Sequence, residues 1–330
     1  MGSRRATMLD RRPGARVLAD VDLEAALEVC ALDPVGSVLA TARLEQARRV
    51  GLAAAGGALW GFHHGGVLVA VCWAGANMVP VVPVVPRTVD LPPAARALPT
   101  PGGPAPAVPA TGADVVVDAA VADAALDAFA IMAARQGRRC SSIVGPAPTV
   151  LGLWERLRGA WPGVREVRDD QPSMVIDHAP VVAPDPDVRV SRPQEYDQVL
   201  PACVRMFTEE VGYSPASGPH GPYETRVRSL IAQGRSFVRM EPGPEGPPHV
   251  AFKAELGAVA GGVAQVQGVW VTPERRGRRL SVHGMAAVVE LARAHAPVVS
   301  LYVNDFNVRA VAAYRSVGFR QVGSYATVLF

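Results

Sequence analysis

Residues 269–319 carry, in a fixed order, the side chains of this chain best suited to chemistry. An apolar run ends in V-T-P-E-R-R-G-R-R-L-S, 271–281, and an amphipathic run follows, so Arg276, Gly277, Arg278 and Arg279 fall where a strand turns into a helix. Unpaired N–H groups at a helix start, with the positive end of the helix dipole behind them, hold anions. Gly277 lets a ligand approach the backbone closely, and the arginines add charge around it. A diphosphate would rest on the N–H groups from Gly277 through Leu280 to Ser281. The same residues also read as a solvated basic turn. A nucleic-acid patch fits them less well, since no aromatic residues interleave and the arginines share one turn.

Downstream, a second apolar strand at 298–303 leads through Asn307 into a helical stretch carrying Tyr314. A phenol with pKa about 10 can protonate a leaving group. A tyrosine packed on the helix's apolar face is the plainer reading of the same position.

Composition sets the frame. The chain has 330 residues, 49% hydrophobic and 19% charged, which describes two ordinary globular domains rather than a disordered polymer. A net charge of +3 argues weakly against wholesale nucleic-acid binding. Lys253 is the only lysine among 33 basic residues, which reads as codon bias. Cys30, Cys72, Cys140 and Cys203 form no C-x-x-C pair, so free thiols are expected rather than disulfides or a metal site. The histidines show no metal spacing, and no Ser/His/Asp arrangement emerges. No signal-peptide pattern precedes the first helical stretch, and the apolar run 66–86 is broken by Gly, Asn and Pro. A soluble, cytoplasmic protein without metal or membrane contacts is expected.

Residues 1–16 read as a loose tail, followed by helices at 21–32 and 37–50 and strands at 58–63, 67–73 and 77–85. Pro, Ala, Gly and Thr then dominate 91–112, expected to be a flexible insert. Helices at 121–135 and 149–160 alternate with strands at 140–144, 165–168 and 173–177. A Pro-rich stretch at 179–187 marks the expected linker, dividing the chain into 1–180 and 181–330. The second half repeats the order: strand 188–191, helices 194–210 and 223–233, strands 236–240, 250–256 and 262–271, helix 280–295, strand 298–303, helix 308–316, strand 325–330.

The segment V-T-P-E-R-R-G-R-R-L-S resembles the Q/R-x-x-G-x-G/A motif of the GNAT superfamily of acyl-CoA N-acyltransferases. N-x-x-A-x-x-x-Y followed by G-F is similar to that superfamily's later Asn/Tyr helix and strand. The match covers 188–330 in element order and is dense from Gly268 onward; Glu274 stands where Gln or Arg is usual, and Arg279 where a second glycine is usual. The layout also looks like a bacterial two-domain GNAT group with an uncharacterised N-terminal half. The resemblance implies an α/β fold with two GNAT-like domains in tandem, each a mixed, mostly antiparallel sheet flanked by helices, the first degenerate. Where the first half should carry its cradle it has Pro80, Pro83 and Pro86, which lack N–H groups, so it is expected to shape the acceptor cleft or an oligomer contact instead.

By the same resemblance the chain is an N-acetyltransferase in which an amine attacks acetyl-CoA directly. The backbone of Val269 and Val271 pairs with the pantetheine arm, Trp270 between them turns to the other face, and Asn307 binds pantetheine or caps its helix. Tyr314 protonates the leaving thiolate. The strand 262–271 offers Gln265 and Gln267 but no carboxylate, leaving Glu255, Glu209, Glu210, the carboxylate of Phe330 or a water relay as base. Glu209 and Glu210 equally read as groups orienting a cationic substrate or as solvated helix residues. The acceptor (small amine, peptide or protein) is not legible, because loops such as 212–222 set it. Two other functions remain open: a non-catalytic acyl-CoA-sensing or partner-docking scaffold, and aminoacyl transfer from tRNA, which the modest charge disfavours.

Overall fold

A computed structural model of the chain describes residues 14–84, 117–218, 221–243 and 247–330. The expected insert at 91–112 lies outside them, as does most of the expected tail, whose last residues form a strand. The order of elements repeats. The first run is β1 (Gly14–Val17), α1 (Leu23–Ala31), α2 (Pro34–Val50), β2 (Ala58–His64), β3 (Val67–Ala74), β4 (Asn77–Val81), α3 (Ala119–Gln136), β5 (Ser142–Pro146), α4 (Ala147–Leu157) and β6 (Glu166–Ile176). The second is β7 (Arg189–Val190), α5 (Tyr196–Val211), α6 (Pro222–Ala232), β8 (Ser236–Glu241), β9 (His249–Ala260), β10 (Val263–Val271), α7 (Leu280–Ala292), β11 (Val298–Tyr302), α8 (Val308–Val317) and β12 (Arg320–Leu329). The strands expected separately at 165–168 and 173–177 are one, β6, because Asp169 to Pro172 continue the extended path between them.

Two compact units result, Met1–Asp170 with Tyr325–Phe330, and Gln171–Ser324. Unit 1 orders its strands β1-β2-β3-β4-β5-β12, all neighbours antiparallel except the β4/β5 pair. Unit 2 orders its strands β7-β8-β9-β10-β11-β6, again antiparallel except β10/β11. Each unit is thus the same mixed sheet, closed by a strand from the end of the other run. In unit 1, Tyr325 pairs with Pro146 and its hydroxyl donates to the carbonyls of Val35 (2.8 Å) and Gly36 (3.0 Å). The expected division at 180/181 follows element order; the contacts divide inside β6. The Pro-rich stretch 179–187 packs within unit 2, where Val181 N–H donates to Val317 O and Asp185 N–H to His283 O.

Local sequence accounts for the helices. Asp33 caps α2 through Gly36 N–H with Pro34 in the first turn, and Asn307 caps α8 through Ala310 N–H. In unit 1 one apolar cluster is centred on Trp60, Phe62, Phe129, Ile143 and Leu153, and Val29, Val38 and Leu44 of α1 and α2 are buried outside it. Unit 2 has two, one on each face of its sheet. Phe252, Ala254 and Leu256 of β9 meet Met285 and Val289 of α7 and Val311 and Val317 of α8; Val250, Val238 and Trp270 meet Val199, Cys203 and Met206 of α5 and Val227 and Ile231 of α6. Strand alternation therefore turns Lys253 and Glu255 toward the α5/α6 face. Among the described residues no helix is long and apolar enough to cross a membrane.

Candidate functional site

The turn after β10 is tight at first and then leaves its donors open. Thr272 N–H bonds to Ala251 O (3.0 Å), Arg275 N–H to Thr272 O (2.9 Å) and Arg276 N–H to Pro273 O (3.2 Å). The next five N–H groups, of Gly277, Arg278, Arg279, Leu280 and Ser281, meet no protein acceptor among the described residues, and α7 has no side-chain cap. Bonding resumes at Val282 N–H, onto Arg279 O (3.0 Å). Gly277 has φ 78°, and a Cβ built on it would meet nothing within 4 Å. Arg279 has φ 61°, the only positive φ among the described non-glycine residues. That conformation costs a non-glycine residue about 1 kcal/mol or more, and such strain concentrates at functional turns.

The four arginines of this turn divide into two pairs. Arg275 Nε meets Glu241 Oε2 at 2.6 Å. Arg276 donates from Nη2 to Glu209 (2.6 Å) and from Nε to Val271 O (3.0 Å). Arg278 and Arg279 are exposed and have no ion pair among the described residues. Glu274, at the motif's departure from the usual Gln or Arg, accepts from the Thr272 hydroxyl (2.7 Å), which holds its carboxyl below the usual range.

Beside the turn the sheet opens. The parallel pairing of β10 with β11 runs from Val263↔Val298 only to Gln265↔Ser300, so among the described residues β10 from Val266 to Val271 has no strand partner on that side. Against β9 the register jumps from Gln267↔Glu255 to Trp270↔Lys253, a bulge centred on Gly268 at φ 60°. Val269 and Val271 lean on the α7/α8 core, while Trp270 is buried on the α5/α6 face with its indole N–H toward Glu209 (3.3 Å).

Asn307 is exposed at the start of α8, its side chain taken by the Ala310 N–H (3.2 Å). Tyr314, two turns on, is buried against Phe319. Burial pushes its phenol well above the usual range, and the charge of Glu210 adds to the rise. It therefore stays protonated at neutral and mildly alkaline pH, as a proton donor must.

The two carboxylates singled out as bases have other engagements. Glu255 is buried, accepting from Arg226 Nη1 (2.8 Å) and Gln267 Nε2 (2.9 Å) on one oxygen and from Lys253 Nζ (3.3 Å) on the other. Burial alone would raise its pKa; the cations of Lys253 and Arg226 outweigh that and bring it down to about 2. A carboxylate so held is a poor proton acceptor at neutral pH. Glu209 is shared by Arg276 and Trp270. Phe330, whose terminal carboxylate is another of the expected candidates, packs in unit 1 against Trp154 and Trp161.

Sequence reasoning missed Lys253, Arg226 and Gln267 as members of this network. A signal existed: in A-F-K-A-E-L the lysine and glutamate alternate onto one strand face between apolar neighbours. Among the described residues no group of three or more His, Cys, Asp or Glu could hold a metal ion.

Residues 236–319 match the Acetyltransferase (GNAT) family, and residues 57–99 and 100–199 match a domain of unknown function, DUF4081. No curated protein matches the chain. Among solved structures, a Drosophila protein aligns over 97% of this chain and 99% of its own at 12% identity, TM-score 0.58. A GCN5-related N-acetyltransferase from Sphaerobacter thermophilus aligns over 98% and 96% at 17% identity, TM-score 0.53. A tandem GNAT protein from the clavulanic acid biosynthesis pathway aligns over 96% and 98% at 12% identity, TM-score 0.45. At these identities the first two of these share with the chain its fold alone, an α/β architecture of two units.

Proposed function

We propose, for a chain whose C-terminal half carries a GNAT acetyltransferase domain, that unit 2 transfers an acetyl group from acetyl-CoA to an amine. The observation that carries this reading is the run of five unclaimed N–H groups from Gly277 to Ser281 at the head of α7, with Arg278 and Arg279 uncommitted beside it. Those donors suit the diphosphate of CoA, and the unpaired edge of β10 at Val269 and Val271 suits the pantetheine arm. The thioester supplies an activated acyl group. Its carbonyl, attacked by a neutral amine, expels a thiolate that must gain a proton, and Tyr314 is the donor kept protonated for that task. The acceptor amine must lose a proton; with Glu255 and Glu209 both ion-paired, a water relay is the better-placed acceptor. Unit 1 supports the fold and takes no part in CoA binding. The protein acts in the cytoplasm on a small amine, a peptide or a protein.

One observation favours a second reading, a scaffold that binds acyl-CoA without turnover: the same ion pairs that occupy Glu255 and Glu209. Thiol release from acetyl-CoA across a panel of amines separates the two. Tyr314→Phe should leave the CoA dissociation constant within about twofold and lower kcat by about 100-fold. Wild-type turnover in that variant removes Tyr314 from the mechanism, and no thiol release by wild type with any amine favours the scaffold.

A further inference from the structure

Lys253 stands apart from the other basic residues of the chain: it is the only lysine, and it is fully buried. Its Nζ donates to the carbonyl of Gly268 at 2.8 Å and meets Glu255 at 3.3 Å. Burying an ammonium is costly unless its donors are satisfied, so its position there needs a reason. The reason lies in the bulge of β10. Between Gln267↔Glu255 and Trp270↔Lys253, β10 advances three residues while β9 advances two, which leaves one residue of β10 without a ladder partner. The Gly268 carbonyl at this point is taken by the ammonium. A Cβ at Gly268 would lie 3.0 Å from Nζ and 3.1 Å from the Glu255 carboxyl carbon, so the backbone and the charges are in close contact.

The Gly268–Val269 peptide is trans, so the N–H of Val269 points opposite to the Gly268 carbonyl. Holding the carbonyl fixes the direction of that N–H, in the stretch of β10 that β11 does not pair. Glu255 in turn holds Lys253 in place, and is itself held by Arg226 of α6 and Gln267 of β10.

We propose that Lys253 is a positioning residue for the acyl donor: through the Gly268 carbonyl it sets the peptide that receives the thioester end of the pantetheine arm in the opening between β10 and β11. This rests on the acyl-CoA reading above. It acts on the arm and not on the diphosphate, whose N–H groups lie beyond Thr272.

The test compares two ligands on the full chain. CoA carries the arm; adenosine 3′-phosphate 5′-diphosphate keeps the diphosphate and lacks the arm. Lys253→Met should weaken CoA binding about tenfold and raise the KM for acetyl-CoA similarly, with binding of adenosine 3′-phosphate 5′-diphosphate unchanged. The double variant Lys253→Met/Glu255→Gln, in which the buried charge pair is replaced by neutral groups, should show the same selective loss and serves if the single variant does not fold. Equal loss for both ligands, or none for either, overturns the proposal. A wild-type protein that binds adenosine 3′-phosphate 5′-diphosphate and CoA equally well overturns it too, since the arm then contributes nothing. Wild type that binds neither ligand contradicts the acyl-CoA reading itself, and this inference with it.

Discussion

α3 and α7 occupy the same place in the two repeats, each linking the parallel pair of its sheet, and their N-termini are built oppositely. In unit 1 the first turn of α3 is closed by Asp118, whose carboxylate accepts the Val121 N–H at 2.9 Å. In unit 2 the head of α7 has no cap, five unclaimed N–H groups and two uncommitted arginines. The same dipole is neutralised from within in one repeat and left for a ligand in the other. The interiors differ in parallel. All the buried charged side chains among the described residues, Asp185, Glu224, Lys253 and Glu255, lie in unit 2. Charge buried at a cost in stability is thus concentrated in the repeat that retains the open helix end, where it holds the strand bulge beside it.

The largest effect that would sharpen this contrast is on stability. Glu255→Gln leaves Lys253 and Arg226 without their carboxylate and should destabilise unit 2 by about 3 kcal/mol at neutral pH. The folded pKa of Glu255, about 2, lies below its unfolded value of 4.5, so its contribution is full above pH 4.5 and fades as the pH falls toward 2. Urea unfolding of wild type and variant should therefore differ most at pH 7 and converge near pH 2; a gap that does not change with pH would show that the carboxylate's charge is not what matters. Next comes a paired substitution at the helix heads. Gly277→Asp sets a carboxylate in the cradle ahead of α7, against the anion it would hold, and should weaken CoA binding about 100-fold. Asp118→Ala removes that cap from α3, costs about 1 kcal/mol of stability and should leave CoA binding alone; calorimetric titration and thermal unfolding read both. The smallest effect belongs to Arg279→Gly, which relieves the left-handed strain and should raise stability by up to about 1 kcal/mol. A loss of stability there would mean that the Arg279 side chain holds the turn together.

Much of this is legible in the sequence because it is local. Apolar periodicity marks nearly every element, and R-R-G-R-R between a strand and a helix locates the cradle without any long-range information. What escapes is set by contacts between distant segments. The closing strands β6 and β12 follow their own runs in sequence yet join the other unit's sheet, a pairing no local pattern encodes. Glu209 looks like a free base on α5 until the fold brings Arg276 to it across 67 positions. Glu255 looks available on its strand until Arg226, 29 positions away on α6, and Lys253 occupy it. Carboxylate identity is written in the chain; carboxylate commitment is not.

Hydrogen–deuterium exchange of the intact protein with and without CoA probes the helix heads side by side. Slower exchange in peptides spanning 277–281, with 118–125 unchanged, is the expected result. Unchanged exchange at 277–281 under saturating CoA, or slowing at the head of α3 instead, would contradict the assignment of the open α7 terminus as the diphosphate site.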